Sequence, residues 1–216
     1  MRLYTSDDDA KVLEIEKELT KLVAFLHEND VNYALLGSPT GKNILASDLD
    51  LCAKDPGHFE IIFQKYCKNF GCKIINRRAH ATGIRFDYLF PVKEKYLLFP
   101  GPDLLIRTSM NREVLNFNSL LSSKIISSEG YFKPCNRDSF IYYFLKRIDK
   151  KNISIKEAIL LNKFYFEAEI EVDQSLKNFF CAKTCLLIRE SLLAIEFSQA
   201  FIESLNSKLS VLSKYD

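Results

Sequence analysis

Leu36-Gly37-Ser38-Pro39-Thr40-Gly41-Lys42-Asn43-Ile44-Leu45-Ala46-Ser47-Asp48-Leu49-Asp50-Leu51 is the stretch on which the fold reading turns. Just before it, Val31 to Leu36 is a short apolar run that ends in Gly37-Ser38, the pattern of a strand entering a loop. Ser47 to Ala53 predicts a second strand. Residues two apart on a strand point to the same face, so Asp48 and Asp50 are expected to project together while Leu49 and Leu51 enter the core. Two carboxylates held side by side repel unless a cation sits between them.

A hard divalent ion such as Mg²⁺ suits such a pair, because it prefers carboxylate and phosphate oxygens and takes one or two protein carboxylates while nucleotide phosphates fill other positions. A third carboxylate admits a second ion. Transfer of a nucleotidyl group by two ions needs them about 3.5–4 Å apart, one at the attacking oxygen and one at the leaving pyrophosphate. Asp87, within Arg85-Phe86-Asp87-Tyr88 on a later predicted strand, is the natural candidate to complete the set. Gly37 lets the backbone approach a triphosphate closely, and the Ser38 hydroxyl can donate to its oxygens. Lys42 in the same loop is within reach of a phosphate. Arg85 shares a strand face with Asp87, where it either binds phosphate or pairs with an aspartate.

A hydrophobic residue, Gly, Gly or Ser, a gap of nine to thirteen residues, then Asp-hydrophobic-Asp, with a further Asp on a later strand, is the signature of the DNA polymerase beta-like nucleotidyltransferase superfamily. Residues 31–90 resemble it: Leu36-Gly37-Ser38, nine residues, Asp48-Leu49-Asp50-Leu51, then Phe86-Asp87-Tyr88. The resemblance implies Mg²⁺-dependent transfer of a nucleoside monophosphate from an NTP to a hydroxyl or phosphate acceptor. It implies a small mixed sheet carrying all three aspartates: Asp48 and Asp50 on the nucleotide's ion, Asp87 on the catalytic ion or accepting the nucleophile's proton. Asp103-Leu104-Leu105-Ile106-Arg107 and Tyr143 to Lys151 also look like uncharacterised nucleotidyltransferase-like proteins of bacterial surface-polysaccharide clusters, which implies a sugar, polyol or lipid-linked phosphate acceptor.

Around this centre the periodicity is plain. Val12, Ile15, Leu19, Leu22, Val23 and Leu26 recur at helical spacing and predict a first helix over 9–28. Asp55-Pro56-Gly57 opens a second helix whose apolar face includes Phe59, Ile61, Ile62, Phe63 and Tyr66. Strands are expected at 72–76, 83–90 and 95–99, with Arg77, Arg78 and His80 in a loop and His80 without a visible partner. From Met110 onward the pattern reads as helix: Leu115 to Ile126, then Phe140 to Ile148, then one long amphipathic helix through Leu193, Phe197, Phe201, Leu205, Leu209 and Leu212. The expected fold is therefore α+β: a small mixed β-sheet nucleotidyltransferase core with flanking helices over 1–105, followed by an all-helical domain over 106–216.

Composition agrees with a globular chain: of 216 residues 47% are hydrophobic and 27% charged, enough to bury a core. The formal charge of +2 gives no global field, which disfavours nucleic acid as a partner. Neither a signal-peptide core nor a long uncharged stretch is visible, so a cytoplasmic protein with no membrane span is expected. Six cysteines without a C-x-x-C pair read as reduced, mostly buried thiols.

Competing readings remain at this level. Gly37 to Asn43 resembles a P-loop, but three residues separate its glycines and Asn43 stands where a Ser or Thr would bind Mg²⁺. Asp-x-Asp also serves metal-dependent glycosyltransferases, although only 47 residues precede Asp48, too few for their nucleotide-binding sheet. A catalytically silent nucleotide-binding or assembly protein of the same fold is the non-enzyme alternative. Lys146, Arg147, Lys150 and Lys151 sit where a helix C-terminus favours cations, although with Tyr142, Tyr143, Arg107 and Arg112 they also form a candidate acceptor site.

Overall fold

The computed structural model describes residues 6–36, 49–106, 117–128 and 130–212. Gly37, Ser38, Lys42 and Asp48, together with Arg107 and Arg112, lie outside the described residues. The described part is a mixed α/β protein with a mixed sheet and several helices. It falls into two compact units, one drawn from Met1–Arg107 and Asn116–Lys133, the other from Thr108–Leu115 and Pro134–Asp216.

The first unit opens with α1 (Ser6–Glu28), whose buried side chains Val12, Ile15, Leu19, Leu22, Val23 and Leu26 are the expected stripe. β1 (Tyr33–Leu35) and β2 (Asp50–Ala53) follow, then α2 (Pro56–Asn69). The Asp55 carboxylate caps α2 by accepting the His58 amide at 2.9 Å, and Pro56 costs nothing in a first turn that lacks partners for its amides. Phe59, Ile62, Phe63 and Tyr66 are buried as expected, but Ile61 faces outward. β3 (Lys73–His80), β4 (Gly83–Val92) and β5 (Lys95–Leu105) complete a sheet of order β1-β2-β5-β4-β3. All neighbours are antiparallel except β2 with β5, which run parallel.

Two strands are longer than their sequence suggests. β3 continues through Arg77, Arg78 and His80, which are strand residues and not a loop, because each finds a register partner on β4. β5 runs through Pro100-Gly101-Pro102, where prolines would normally end a central strand. The register shows why: Arg85 pairs Asp103 and Asp87 pairs Pro100, so Phe86 alone opposes Gly101 and Pro102 across a bulge that asks for fewer ladder amides. Gly101 has φ +122°, and a Cβ there would crowd the Leu49 amide at 3.0 Å, so only glycine brings β5 this close to β2.

α1 and α2 cover one sheet face, packing on Leu51, Phe86, Tyr88, Phe90, Phe99 and Leu104. Within this core Glu18 is buried but satisfied: its Oε1 accepts from Tyr66 Oη at 2.7 Å and Tyr88 Oη at 3.2 Å, and its Oε2 pairs Lys21 at 2.7 Å. Burial above all, with the Glu18 charge beside them, pushes both tyrosine hydroxyls far above the ordinary phenol range.

The helix expected over Leu115 to Ile126 is instead a short α3 (Phe117–Ser122), after which Ile125 and Ile126 form β6 against β7 (Phe132–Lys133). Both isoleucines are exposed, so their spacing marks no buried helix face. These elements belong to the first unit.

The described elements of the second unit are α4 (Asn136–Asp149), α5 (Ile155–Glu167), α6 (Glu169–Leu176), α7 (Ala182–Ala194) and α8 (Gln199–Leu212). Phe140, Phe144, Ile148, Leu161, Tyr165, Ile188, Leu192 and Leu205 form its core. Ser154 and Glu157 cap α5 reciprocally. The single long helix expected through Leu193 and Phe197 is broken: Ile195 takes a left-handed conformation at the end of α7, and Leu193 points outward. No helix among the described residues is long and apolar enough to cross a membrane. The six cysteines are free thiols; Cys52, Cys67 and Cys185 are buried and Cys181 is exposed.

Candidate functional site

Strand alternation decides which side chains share the sheet face away from α1 and α2. Leu49, Leu51 and Ala53 enter the core, so Asp50 turns to the opposite face. On β4 the core takes Phe86, Tyr88 and Phe90, which leaves Arg85 and Asp87 on that opposite face; on β5 it takes Leu104, which leaves Asp103 there.

Register then places these residues in a row. Asp50 is paired with Asp103 across the parallel β2–β5 ladder, Asp103 with Arg85 across β5–β4, and Arg85 with Arg78 across β4–β3. With strands about 4.8 Å apart, the row spans roughly 15 Å, its carboxylates at one end and its guanidiniums at the other. Asp87, on the same face and bonded to Arg85, offsets one of these guanidiniums, so the charge of the row runs from the Asp50–Asp103 pair toward Arg78.

The contacts within the row are specific. Arg85 Nε donates to Asp87 Oδ1 at 2.9 Å, and Asn76 Nδ2 donates to Asp87 Oδ2 at 3.1 Å, so both carboxylate oxygens of Asp87 are engaged. Of the two roles open to Arg85 from sequence, pairing with an aspartate is therefore observed. Asp103 is buried, and its Oδ1 lies 2.8 Å from His80 Nε2. On the other side of the ring, His80 Nδ1 lies 3.1 Å from Thr82 Oγ1 and 3.4 Å from the Thr82 amide. An amide aimed at Nδ1 matches the tautomer in which Nδ1 accepts and Nε2–H donates to Asp103. His80 thus has the partner that its sequence position hides. It reaches Asp103 because Gly83 stands between their strands: a Cβ at Gly83 would run into the Leu104 carbonyl and stand 3.0 Å from Leu105 Cα.

No family model matches the chain, and neither does a curated protein or a solved structure. What the site can do rests on its own geometry.

Among the described residues no group of three His, Cys, Asp or Glu side chains is arranged to hold a metal ion, and Asp48 lies outside that set. Asp50 and Asp103, side by side on one face, are two hard oxygen donors, the kind a Mg²⁺ ion takes from a protein that leaves its remaining positions to phosphate and water. Asp103 escapes a reading of spacing alone. Its only signal is a single polar residue ahead of Leu104-Leu105, masked by the prolines before it, and its significance appears only once β5 is known to lie beside β2.

Two of the cations at the end of α4, Lys146 and Arg147, are engaged internally. Lys146 Nζ donates to Tyr142 Oη at 3.2 Å, and Arg147 pairs Glu157 at 2.7 Å while lying over the Tyr143 ring.

Proposed function

We propose that this chain is a Mg²⁺-dependent nucleotidyltransferase that moves a nucleoside monophosphate from an NTP to a hydroxyl or phosphate oxygen of its acceptor. The observation that carries the reading is the row Asp50, Asp103, Arg85, Arg78 across four adjacent strands. A nucleoside triphosphate with its ion needs carboxylates at one end and cations at the other, and this face supplies them in that order. The segment Gly37-Ser38 to Asp48 leads directly into β2, and its resemblance to the superfamily signature supports the same assignment.

In this reading Asp48, Asp50 and Asp103 hold Mg²⁺. An ion held there would supply charge neutralisation to the triphosphate and to its leaving pyrophosphate. Arg85 and Arg78 bind phosphate oxygens, while Asp87 and Asn76 fix the Arg85 guanidinium so that little side-chain entropy is lost when a phosphate arrives. The acceptor oxygen attacks the α-phosphorus, the bond to pyrophosphate breaks, and the acceptor's proton passes to a carboxylate oxygen of the row. Gly37-Ser38 and Lys42, which precede β2 in the sequence, contribute phosphate donors in the same reading.

Calorimetric titration of each NTP, with and without Mg²⁺, tests this directly on wild type and on Asp50→Asn with Asp103→Asn. Mg²⁺-dependent binding that disappears in the double variant supports the site. Absence of NTP binding to the wild type refutes it, and binding confined to sugar nucleotides favours a glycosyltransferase instead.

A further inference from the structure

The second unit carries an apolar face that nothing in the described chain covers. On α5, Ala158, Leu161 and Tyr165 enter the core, whereas Ile155, Ile159 and Phe166 form a second stripe that faces solvent. Ile170, the second residue of α6, adds one more exposed apolar side chain just beyond the end of α5. On α7 the buried positions are Thr184, Cys185, Ile188 and Leu192, and Leu186 and Leu193, two turns apart, point outward. The six apolar side chains are between 48% and 73% exposed.

The two stripes adjoin. Asn162 Nδ2 on α5 donates to the Leu192 carbonyl on α7 at 2.8 Å, and Arg189 on α7 pairs Glu169 at the start of α6. The helices therefore run antiparallel, with Ile155 and Ile159 toward the Leu193 end and Phe166 and Ile170 toward the Leu186 end. Together the side chains present on the order of 600 Å² of apolar surface, the upper end of what a monomer leaves exposed. That is most of the roughly 800 Å² per partner buried in a standard specific interface.

The charges around this face bear on its occupant. Lys163 pairs Glu167 and Arg189 pairs Glu169, and over 155–193 as a whole five Lys or Arg stand against six Asp or Glu, so the charge beside the stripes is close to balanced. A patch meant for a partner chosen by charge would carry an excess of one sign. An apolar patch with an internally balanced border meets its own image without like-charge repulsion, which is what a two-fold, self-complementary contact requires. We propose that the α5–α7 face docks a second copy of this chain, forming a dimer through two antiparallel helix pairs.

Sedimentation equilibrium of the full chain from about 1 to 100 µM tests it, a range in which a standard interface of this kind dimerises. Wild type, Ile159→Glu, Leu193→Glu and, as a control, Ile61→Glu on the exposed side of α2 are compared, each checked for native circular dichroism. The expected result is a dimer that Ile159→Glu and Leu193→Glu each weaken by about tenfold or more, while Ile61→Glu leaves it intact. A wild-type monomer at 100 µM overturns the proposal and leaves the face to a different protein. A dimer unmoved by both glutamate variants, folded as judged by circular dichroism, overturns it as well.

Discussion

Asp50 and Asp103 stand directly opposite one another on the parallel strands β2 and β5, while Asp87 lies one strand farther away with both of its oxygens held by Arg85 and Asn76. The two candidate third carboxylates are thus distinguishable by experiment. Asp103→Asn is expected to lower Mg²⁺-dependent NTP affinity by about 100-fold or more, and Asp87→Asn, acting through Arg85, by about tenfold. Calorimetry at fixed Mg²⁺ measures both; the reverse order would make Asp87 the ligand.

Gly83 is a packing requirement. Gly83→Ala forces the Leu104 carbonyl away and is expected to destabilise the first unit by about 3 kcal/mol, since strand backbone cannot yield as a side chain would. The urea midpoint followed by tyrosine near-ultraviolet dichroism reports it. An unchanged midpoint would show that β4 and β5 lie farther apart than described.

Glu18 organises two buried hydroxyls. Glu18→Leu leaves Tyr66 and Tyr88 without their acceptor and is expected to cost about 2–5 kcal/mol, whereas Glu18→Gln retains an acceptor oxygen and costs less. Urea denaturation of both variants at pH 7 gives the comparison, and equal losses would mean that the charge and not the hydrogen bonds matters.

The Cys52 thiol is pushed up to about 12 by burial, from an ordinary value of 9.0. Between those values the folded chain keeps a proton that the unfolded chain has released. Stability contributed by this group is therefore complete below pH 9 and falls as pH rises toward 12, by about 1.4 kcal/mol per unit. Cys52→Ala is expected to flatten the decline of the urea midpoint between pH 9 and 11 by about one proton's worth, and an identical slope in the variant would exclude the thiol as its cause.

Much of the first unit was legible because its signals are local. The α1 stripe, the Asp55-Pro56 start of α2 and the alternation of Leu49 and Leu51 about Asp50 each depend on neighbours within a few residues. What escaped depends on remote pairing. Arg78 and His80 are polar residues on an exposed edge strand, so no apolar period marked them as β3. Asp103 joins Asp50 only through a parallel ladder between segments some fifty residues apart, and the prolines before it imitate a boundary. Ile125 and Ile126 kept helical spacing from Leu121 while forming a hairpin, and Ile195 broke a run whose hydrophobic period continued across it.

The segment after α3 returns to the start of the chain, with practical force for anyone cutting the gene. Phe132 lies 4.8 Å from the His27 ring and 5.9 Å from Tyr33, and Lys124 Nζ reaches the Asn32 side chain at 2.6 Å. A fragment stopped at Leu105 would contain every strand of the large sheet, yet it would uncover Tyr33, which is fully buried in the intact protein, and lay bare the outer edge beside β1. Such a fragment is expected to aggregate through that edge. The shortest piece expected to fold with the carboxylate row intact runs through Lys133, so the first unit is to be expressed and mutated as an interrupted whole.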